Sequence, residues 1–131
     1  MRRPALVLLI GAVALAGCGR DGDRATVRRV AEGFYAAVAH HDGAAACARL
    51  SADARKALEQ QESAPCARAV VHLDLSGSRA HIVRVYSTNA GVELLHGDTI
   101  FLQHTPQGWR IDAAGCRPQA HGEPAECEVQ S

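Results

Sequence analysis

The spacing of apolar residues changes about halfway along the chain, from a helical period to a strand period. In residues 24–41, apolar side chains recur every three or four positions, which predicts an amphipathic helix with one buried face. This face carries Val27, Val30, Ala31, Phe34, Ala37 and Val38. Asp23 is predicted to cap the start of the helix, and Asp42-Gly43 is predicted to end it.

Three shorter helices are predicted to follow the first. Residues 44–50 form the second, and Ser51 caps a third helix that extends to residue 60. A fourth begins near Pro65, whose fixed φ suits the first turn of a helix, and extends to about residue 71. Residues 24–71 are therefore predicted to be mainly helical.

Beyond Gly77, apolar and polar residues alternate, which is typical of half-buried strands. The first predicted strand, residues 79–87, places His81, Val83 and Val85 on one face. Its other face carries Ala80, Ile82, Arg84 and Tyr86.

Further strands are predicted at residues 92–95, 99–104 and 109–114, with residues 127–130 as an edge strand. Turn-forming sequences such as His96-Gly97-Asp98 separate them. Helices followed by strands with short turns indicate an α+β fold, in which N-terminal helices pack on an antiparallel sheet of four or five strands.

The N-terminal segment has the three parts of a secretory signal. Arg2 and Arg3 give a positive start, an apolar run covers residues 5–16, and small residues precede Cys18. The run is shorter than the roughly 20 apolar residues that a membrane-spanning helix needs. Two alternatives stay open, an ordinary signal peptide with an incidental cysteine and a short membrane anchor.

Residues 15–18, Leu-Ala-Gly-Cys, resemble the bacterial lipobox. The resemblance implies cleavage after Gly17, a thioether-linked diacylglycerol on Cys18 and an acylated amino end. It therefore implies attachment to the outer face of the cytoplasmic membrane through lipid on Cys18. The chain is then divided into a signal peptide (1–17), a lipidated cysteine with a tether (18–23) and a single α+β domain (24–131).

The charge of the mature chain would be close to zero. Removing Arg2 and Arg3 from the 14 basic residues leaves 12 against 14 acidic residues. Because nucleic-acid binding depends on clustered positive charge, no nucleic-acid partner is predicted. The same balance argues against strong electrostatic attraction to anionic lipid.

Four cysteines remain once Cys18 carries lipid, and an even number in an exported chain predicts disulfides. Of the three pairings that four cysteines permit, Cys47–Cys66 and Cys116–Cys127 are favoured because each closes a short segment within one region. A structural zinc site would need cysteines or histidines two to four residues apart, and no C-x-x-C pair occurs. Neither a metal nor a cofactor is predicted.

The order and lengths of these elements resemble the nuclear transport factor 2-like fold. Two sequences add to the resemblance, Phe34-Tyr35-Ala36-Ala37 with a following Asp42-Gly43, and Gly108-Trp109-Arg110-Ile111. The chain also resembles small actinobacterial lipoproteins with paired cysteines. The resemblance implies a strongly curved sheet that closes with the helices into a cone, and it leaves the function open because one fold hosts many functions.

A few side chains are candidates for a functional site. Tyr35, Tyr86, Trp109 and His81 are candidates to line a cavity inside the cone. His81 and Asp112 are the only pair proposed for general acid–base chemistry. No serine lies in a nucleophile motif, and neither a dinucleotide-binding motif nor a phosphate-binding loop occurs.

The sequence therefore favours a non-catalytic, membrane-anchored lipoprotein that binds a small apolar ligand or an envelope protein. One alternative is an enzyme that uses His81 and Asp112 in its cavity. The other is a structural envelope component with no ligand.

Overall fold

The computed structural model describes residues 20–131, so the predicted signal peptide and Cys18 lie outside the described residues. The helices are α1 (Arg20–Ala39), α2 (Gly43–Cys47), α3 (Ala52–Glu62) and α4 (Cys66–Ala69), and α4 continues into a 3₁₀ turn (Val70–His72). The strands are β1 (Ala80–Tyr86), β2 (Asn89–Leu94), β3 (Thr99–Thr105), β4 (Gly108–Cys116) and β5 (Val129–Gln130). A further 3₁₀ turn, Ala120–Gly122, precedes β5.

The five strands form one sheet in the order β1-β2-β3-β4-β5, and every neighbouring pair is antiparallel. The α+β prediction, with helices first and an antiparallel sheet after them, is confirmed. Helix α1 contacts β1, β2 and β4, while α3 contacts β4 and β5. None of the described helices combines the length and hydrophobicity that crossing a membrane requires.

Helix α1 includes residues that were predicted to precede it. It extends from Arg20, so Asp23 lies in its first turn and is not its N-cap. The carboxylate of Asp23 instead accepts a hydrogen bond from the indole Nε1 of Trp109 at 3.1 Å. Acidic residues in the first turn suit the positive end of the helix dipole. Residues 20–23, which were predicted as part of a tether, are therefore helical.

Helix α1 ends at Ala39, and Asp42-Gly43, which was predicted to end it, instead begins α2. His41, with φ 57°, takes the left-handed conformation there. Asp42 is the N-cap of α2, and its Oδ1 accepts a hydrogen bond from the Ala45 N–H at 3.0 Å. Gly43 is needed for packing, because a Cβ there would lie 1.9 Å from the carbonyl oxygen of Ala67.

Ser51 caps α3 as predicted. Its Oγ accepts a hydrogen bond from the Ala54 N–H at 3.1 Å and donates one to Asp112 Oδ1 at 3.0 Å. The cap therefore joins the start of α3 to β4. Helix α3 ends where Ser63 adopts the left-handed conformation.

Both favoured disulfides are present. Cys47–Cys66 joins the end of α2 to the start of α4, and Cys116–Cys127 joins the end of β4 to the segment that leads to β5. The first links two helices of five and four residues that are too short to be stable alone, and the second holds the irregular segment before β5 against the end of β4.

The first strand departs from strict alternation. Its register with β2 shifts between Ala80 and Ile82, which leaves His81 as an extra residue in a bulge. Ala80 therefore packs against the core beside Val83 and Val85, and His81 is exposed. The prediction that His81 shares a face with Val83 and Val85 is wrong because it assumed an unbroken period of two.

The helices and the inner face of the sheet enclose one hydrophobic core. Its largest fully buried side chains include Phe34 of α1, Leu58 of α3, and Ile100, Leu102 and Ile111 of the sheet. These side chains occupy the space between the two layers, so the centre of the domain is filled by its own residues.

Candidate functional site

The four residues predicted to line a cavity lie in different surroundings. Tyr35 and Trp109 are buried, with 4% and 3% of their surface exposed. Tyr86 is 62% exposed, and His81 is exposed in the bulge of β1. The structure therefore does not bring these four residues together in one site.

Tyr35 belongs to a buried polar network. Its hydroxyl donates a hydrogen bond to Asp98 Oδ2 at 3.2 Å and accepts one from the Gly115 N–H at 3.1 Å. Asp98, also buried, accepts hydrogen bonds from the Ser76 N–H at 2.7 Å and from Arg117 Nε at 3.4 Å. No buried side-chain nitrogen or oxygen within residues 20–131 lacks a partner. The network is therefore suited to fixing α1, two loops and β4 in place.

The environment of Tyr35 favours its neutral form. Burial raises the pKa of the phenol above its usual range, and the nearby negative charge of Asp98 raises it further. The hydrogen bond from Gly115 opposes this shift but does not reverse it. Tyr35 is thus a structural hydrogen-bond donor at neutral pH.

Tyr35 should make the stability of the domain sensitive to alkaline pH. Because its pKa is raised in the folded state, its contribution is complete below the unfolded pKa of about 10 and is lost as the pH rises above it. We expect the free energy of unfolding, measured by urea denaturation, to start falling at about pH 10 and to fall further toward about pH 11. The fall in the free energy of unfolding should be smaller in a Tyr35→Phe variant than in the wild type. In Tyr86→Phe, the exposed control, it should be as large as in the wild type. Equal falls in wild type and Tyr35→Phe would contradict this role for Tyr35.

His81 and Asp112 are not neighbours. His81 is on β1 and Asp112 on β4, and two strands lie between them. The carboxylate of Asp112 is held by other groups, since its Oδ1 accepts hydrogen bonds from Ser51 Oγ at 3.0 Å and from Gln103 Nε2 at 2.8 Å. The pair proposed for acid–base chemistry is not assembled.

A concavity of about 520 Å³ lies between the start of α3 and strands β3 and β4. Arg55, Gln103 and Arg110 are among its lining residues. Arg55 donates to the Cys47 carbonyl at 3.0 Å, and Arg110 donates to the Trp109 carbonyl at 3.0 Å. One guanidinium nitrogen of each arginine is thus bound to a backbone carbonyl of another residue in the domain.

The outer face of the sheet carries exposed aromatic side chains. Phe101 of β3 is 45% exposed, and it lies across from Gly91 of β2. With Tyr86 it borders a depression of about 310 Å³ over Gly91. Arg84 and Glu93, an ion pair, complete its edge. We call Arg84, Tyr86, Gly91, Glu93 and Phe101 the aromatic patch.

The floor of the aromatic patch is open above Gly91. A Cβ at this position would have its nearest neighbours in the Phe101 ring, at 3.9 Å and 4.0 Å, which is ordinary contact. The glycine therefore leaves a recess that a side chain could fill without strain. Phe101 was not predicted as a site residue. The alternation in residues 99–104 nevertheless puts its side chain on the polar face of the strand, while those of Ile100 and Leu102 are on the other face.

The chemistry of the aromatic patch suits binding. Aromatic and arginine side chains are enriched in protein–protein interfaces, and charged groups are common at their rims. The depression is at the small end of the range for ligand pockets. Within the described residues, no three His, Cys, Asp or Glu side chains are grouped to hold a metal ion.

Comparison with known proteins gives no match to this chain. No family model matches it, and neither the curated proteins nor the solved structures contain a significant match. The functional proposal therefore depends on the sequence and on the geometry of residues 20–131.

Proposed function

We propose that this chain is an exported lipoprotein, cleaved after Gly17 and held on the outer face of the cytoplasmic membrane by lipid on Cys18. The positive start, the apolar run and the lipobox-like residues 15–18 support this assignment. Two disulfides support it as well, because such bonds persist in oxidising compartments outside the cytoplasm.

The domain itself is non-catalytic in this proposal and binds an envelope protein. The observation that carries the binding role is the exposure of Phe101 and Tyr86 around a recess on the outer face of the sheet. A protein partner is favoured over a small apolar ligand because the recess is at the small end of the range for ligand pockets and lies on the outer face of the sheet. A partner could insert one apolar side chain above Gly91 and pair its polar groups with Arg84 and Glu93.

The proposed architecture is a nuclear transport factor 2-like domain. The order of the helices and the five antiparallel strands supports it. The filling of the centre by side chains such as Phe34, Leu58 and Ile111 favours binding outside the sheet over binding inside the cone. The same filled core favours a second candidate function, a structural envelope component with no ligand.

A photoreactive residue at position 101 tests the binding role. In membranes of cells that produce the protein, we expect it to cross-link one partner, and a matched photoreactive residue at the exposed Lys56 on α3 to cross-link none. Gly91→Val should fill the recess without destabilising the strand, since valine favours strands. We expect Gly91→Val to weaken the affinity for the partner by about 10- to 100-fold, and the cross-linking yield to fall accordingly.

Two results would contradict partner binding at the aromatic patch. One is an equal set of products from positions 101 and 56, and the other is an undiminished yield in the Gly91→Val variant. If position 101 gives no product in membranes that hold the folded protein, the structural role without a ligand is favoured.

A further inference from the structure

The start of α1 lies at one end of the sheet, beside the turn between β1 and β2. Arg20 and Asp23 line a concavity of about 510 Å³ together with Val85, Tyr86 and Ser87. The hydrogen bond from Trp109 to Asp23 fixes the first turn of α1 at this place. The N-terminal end of the described chain is thus held next to a hairpin turn.

The turn between β3 and β4 lies at the same end. The His104 N–H donates a hydrogen bond to the Thr88 carbonyl at 2.8 Å, which joins the two hairpins next to their turns. We call residues 20–24, 86–89 and 105–108 the hairpin end. The turn between β2 and β3 and the Cys116–Cys127 disulfide lie at the opposite end, about 20 Å away along the six residues of β2.

Cys18 is two residues before Arg20, and two residues span at most about 7 Å. If lipid on Cys18 is in the membrane, as the proposed function states, the hairpin end must lie at the membrane surface. Two residues are too few to let the domain turn its opposite end to the lipid. The anchor and the helical residues 20–23 together limit the orientation.

The exposed groups at the hairpin end suit that position. Tyr86 is 62% exposed, and a tyrosine has a ring that suits the acyl boundary and a hydroxyl that suits the headgroups. Arg20 and Arg24 are exposed, and guanidinium groups bind phosphates well. Asp21 and Asp23 balance these two charges, so contact does not depend on anionic lipid.

We propose that the hairpin end is a membrane-contact surface, with the Tyr86 ring in the interface of the bilayer and Arg20 and Arg24 against phosphodiester groups of zwitterionic phospholipid. This proposal rests on the proposed lipidation of Cys18. Tyr86 borders both places, so with its ring in contact with lipid the part of the aromatic patch left for a partner, around Gly91 and Phe101, lies next to the lipid surface. A partner bound there would be one that reaches the membrane.

Lipid cross-linking tests the orientation directly. The lipoprotein purified from producing cells is placed in phosphatidylcholine nanodiscs whose lipid carries a photoreactive headgroup, and adducts are located by mass spectrometry. We expect the yield in residues 86–89 and 105–108 to be several-fold higher than in residues 95–98 and 117–126. Tyr86→Ser should reduce the yield in residues 86–89, and Leu95→Ser, an exposed apolar control at the opposite end, should not.

Equal yields at both ends, or a higher yield at the opposite end, would overturn the proposal. A need for anionic phosphatidylglycerol before any adduct forms would overturn the zwitterionic mode of contact. If intact mass shows Cys18 without lipid, the proposed function fails separately. The chain is then attached to the nanodisc through the Cys18 thiol and a maleimide lipid, and the same comparison still reports which end meets the bilayer.

Discussion

Replacing Phe34 by alanine should lower the free energy of unfolding by about 3–5 kcal/mol. Phe34 has no exposed surface, and its ring packs edge-to-face against that of Tyr35 with 5.8 Å between centroids. It belongs to the hydrophobic core that the helices and the sheet enclose. Removing the ring takes away buried apolar contact and leaves a cavity that the surrounding side chains fill only in part. Urea denaturation followed by circular dichroism measures the loss.

Phe101 provides the matched control, since the chain has two phenylalanines. Phe101→Ala removes the same atoms from a side chain that is 45% exposed, and we expect it to cost about 1 kcal/mol or less. Phe34→Leu, a milder change, keeps the comparison measurable if Phe34→Ala does not fold. Equal losses for the alanine variants at positions 34 and 101 would contradict the assignment of Phe34 to the core.

Replacing both Cys47 and Cys66 by serine should cost about 3 kcal/mol. The bond closes a segment with a sequence separation of 19 and joins two helices of five and four residues. Helices of that length are not stable alone, because nucleation costs more than so few hydrogen bonds return. The bond limits the freedom of this region in the unfolded chain. We expect a lower urea midpoint than that of the wild type.

The second disulfide supplies the comparison. Cys116 and Cys127 are separated by 11 residues, so their replacement by serine should cost slightly less on the same chain-entropy basis. Before denaturation, thiol labelling of the folded wild type should leave all four cysteines unlabelled. Labelling of any of them without a reductant, or a midpoint unchanged by the Cys47 and Cys66 replacements, would contradict the stabilising role.

Elements that depend on local patterns could be predicted from the sequence. The apolar period of three and four residues placed α1, and the capping hydroxyl of Ser51 placed the start of α3. Alternation and turn residues placed β1, β3 and β4, whereas β2 begins at Asn89, three residues before its predicted start at residue 92. The favoured disulfides were also right, because cysteines that are close in sequence and lie within one region need little chain movement to meet.

Features that depend on contacts between distant residues could not be predicted. The bulge at His81 has no local signal, and it moved that side chain to the exposed side of β1. The contact between Asp23 and Trp109 joins positions 86 residues apart, so Asp23 looked like an ordinary cap. Asp98 looked like a turn residue, and only the fold brings Tyr35 and Arg117 to its carboxylate.

The candidate site was predictable only in part. Tyr86 was proposed for a cavity inside the cone, but it lies on the outer face of the sheet. Phe101 was visible as an apolar residue on the polar side of its strand. The recess between them depends on the register of β2 with β3, which places Gly91 across from Phe101. A register of this kind requires the folded sheet.

The state of Cys18 decides whether the domain works at a membrane. Intact-mass spectrometry of the protein extracted from membranes of producing cells measures it in one step. We expect the wild-type chain to begin at Cys18 and to carry a diacylglyceryl group. A Cys18→Ala variant, the control, should retain residues 1–17. A wild-type chain that retains residues 1–17, or one whose Cys18 has a free thiol, would contradict the lipoprotein proposal.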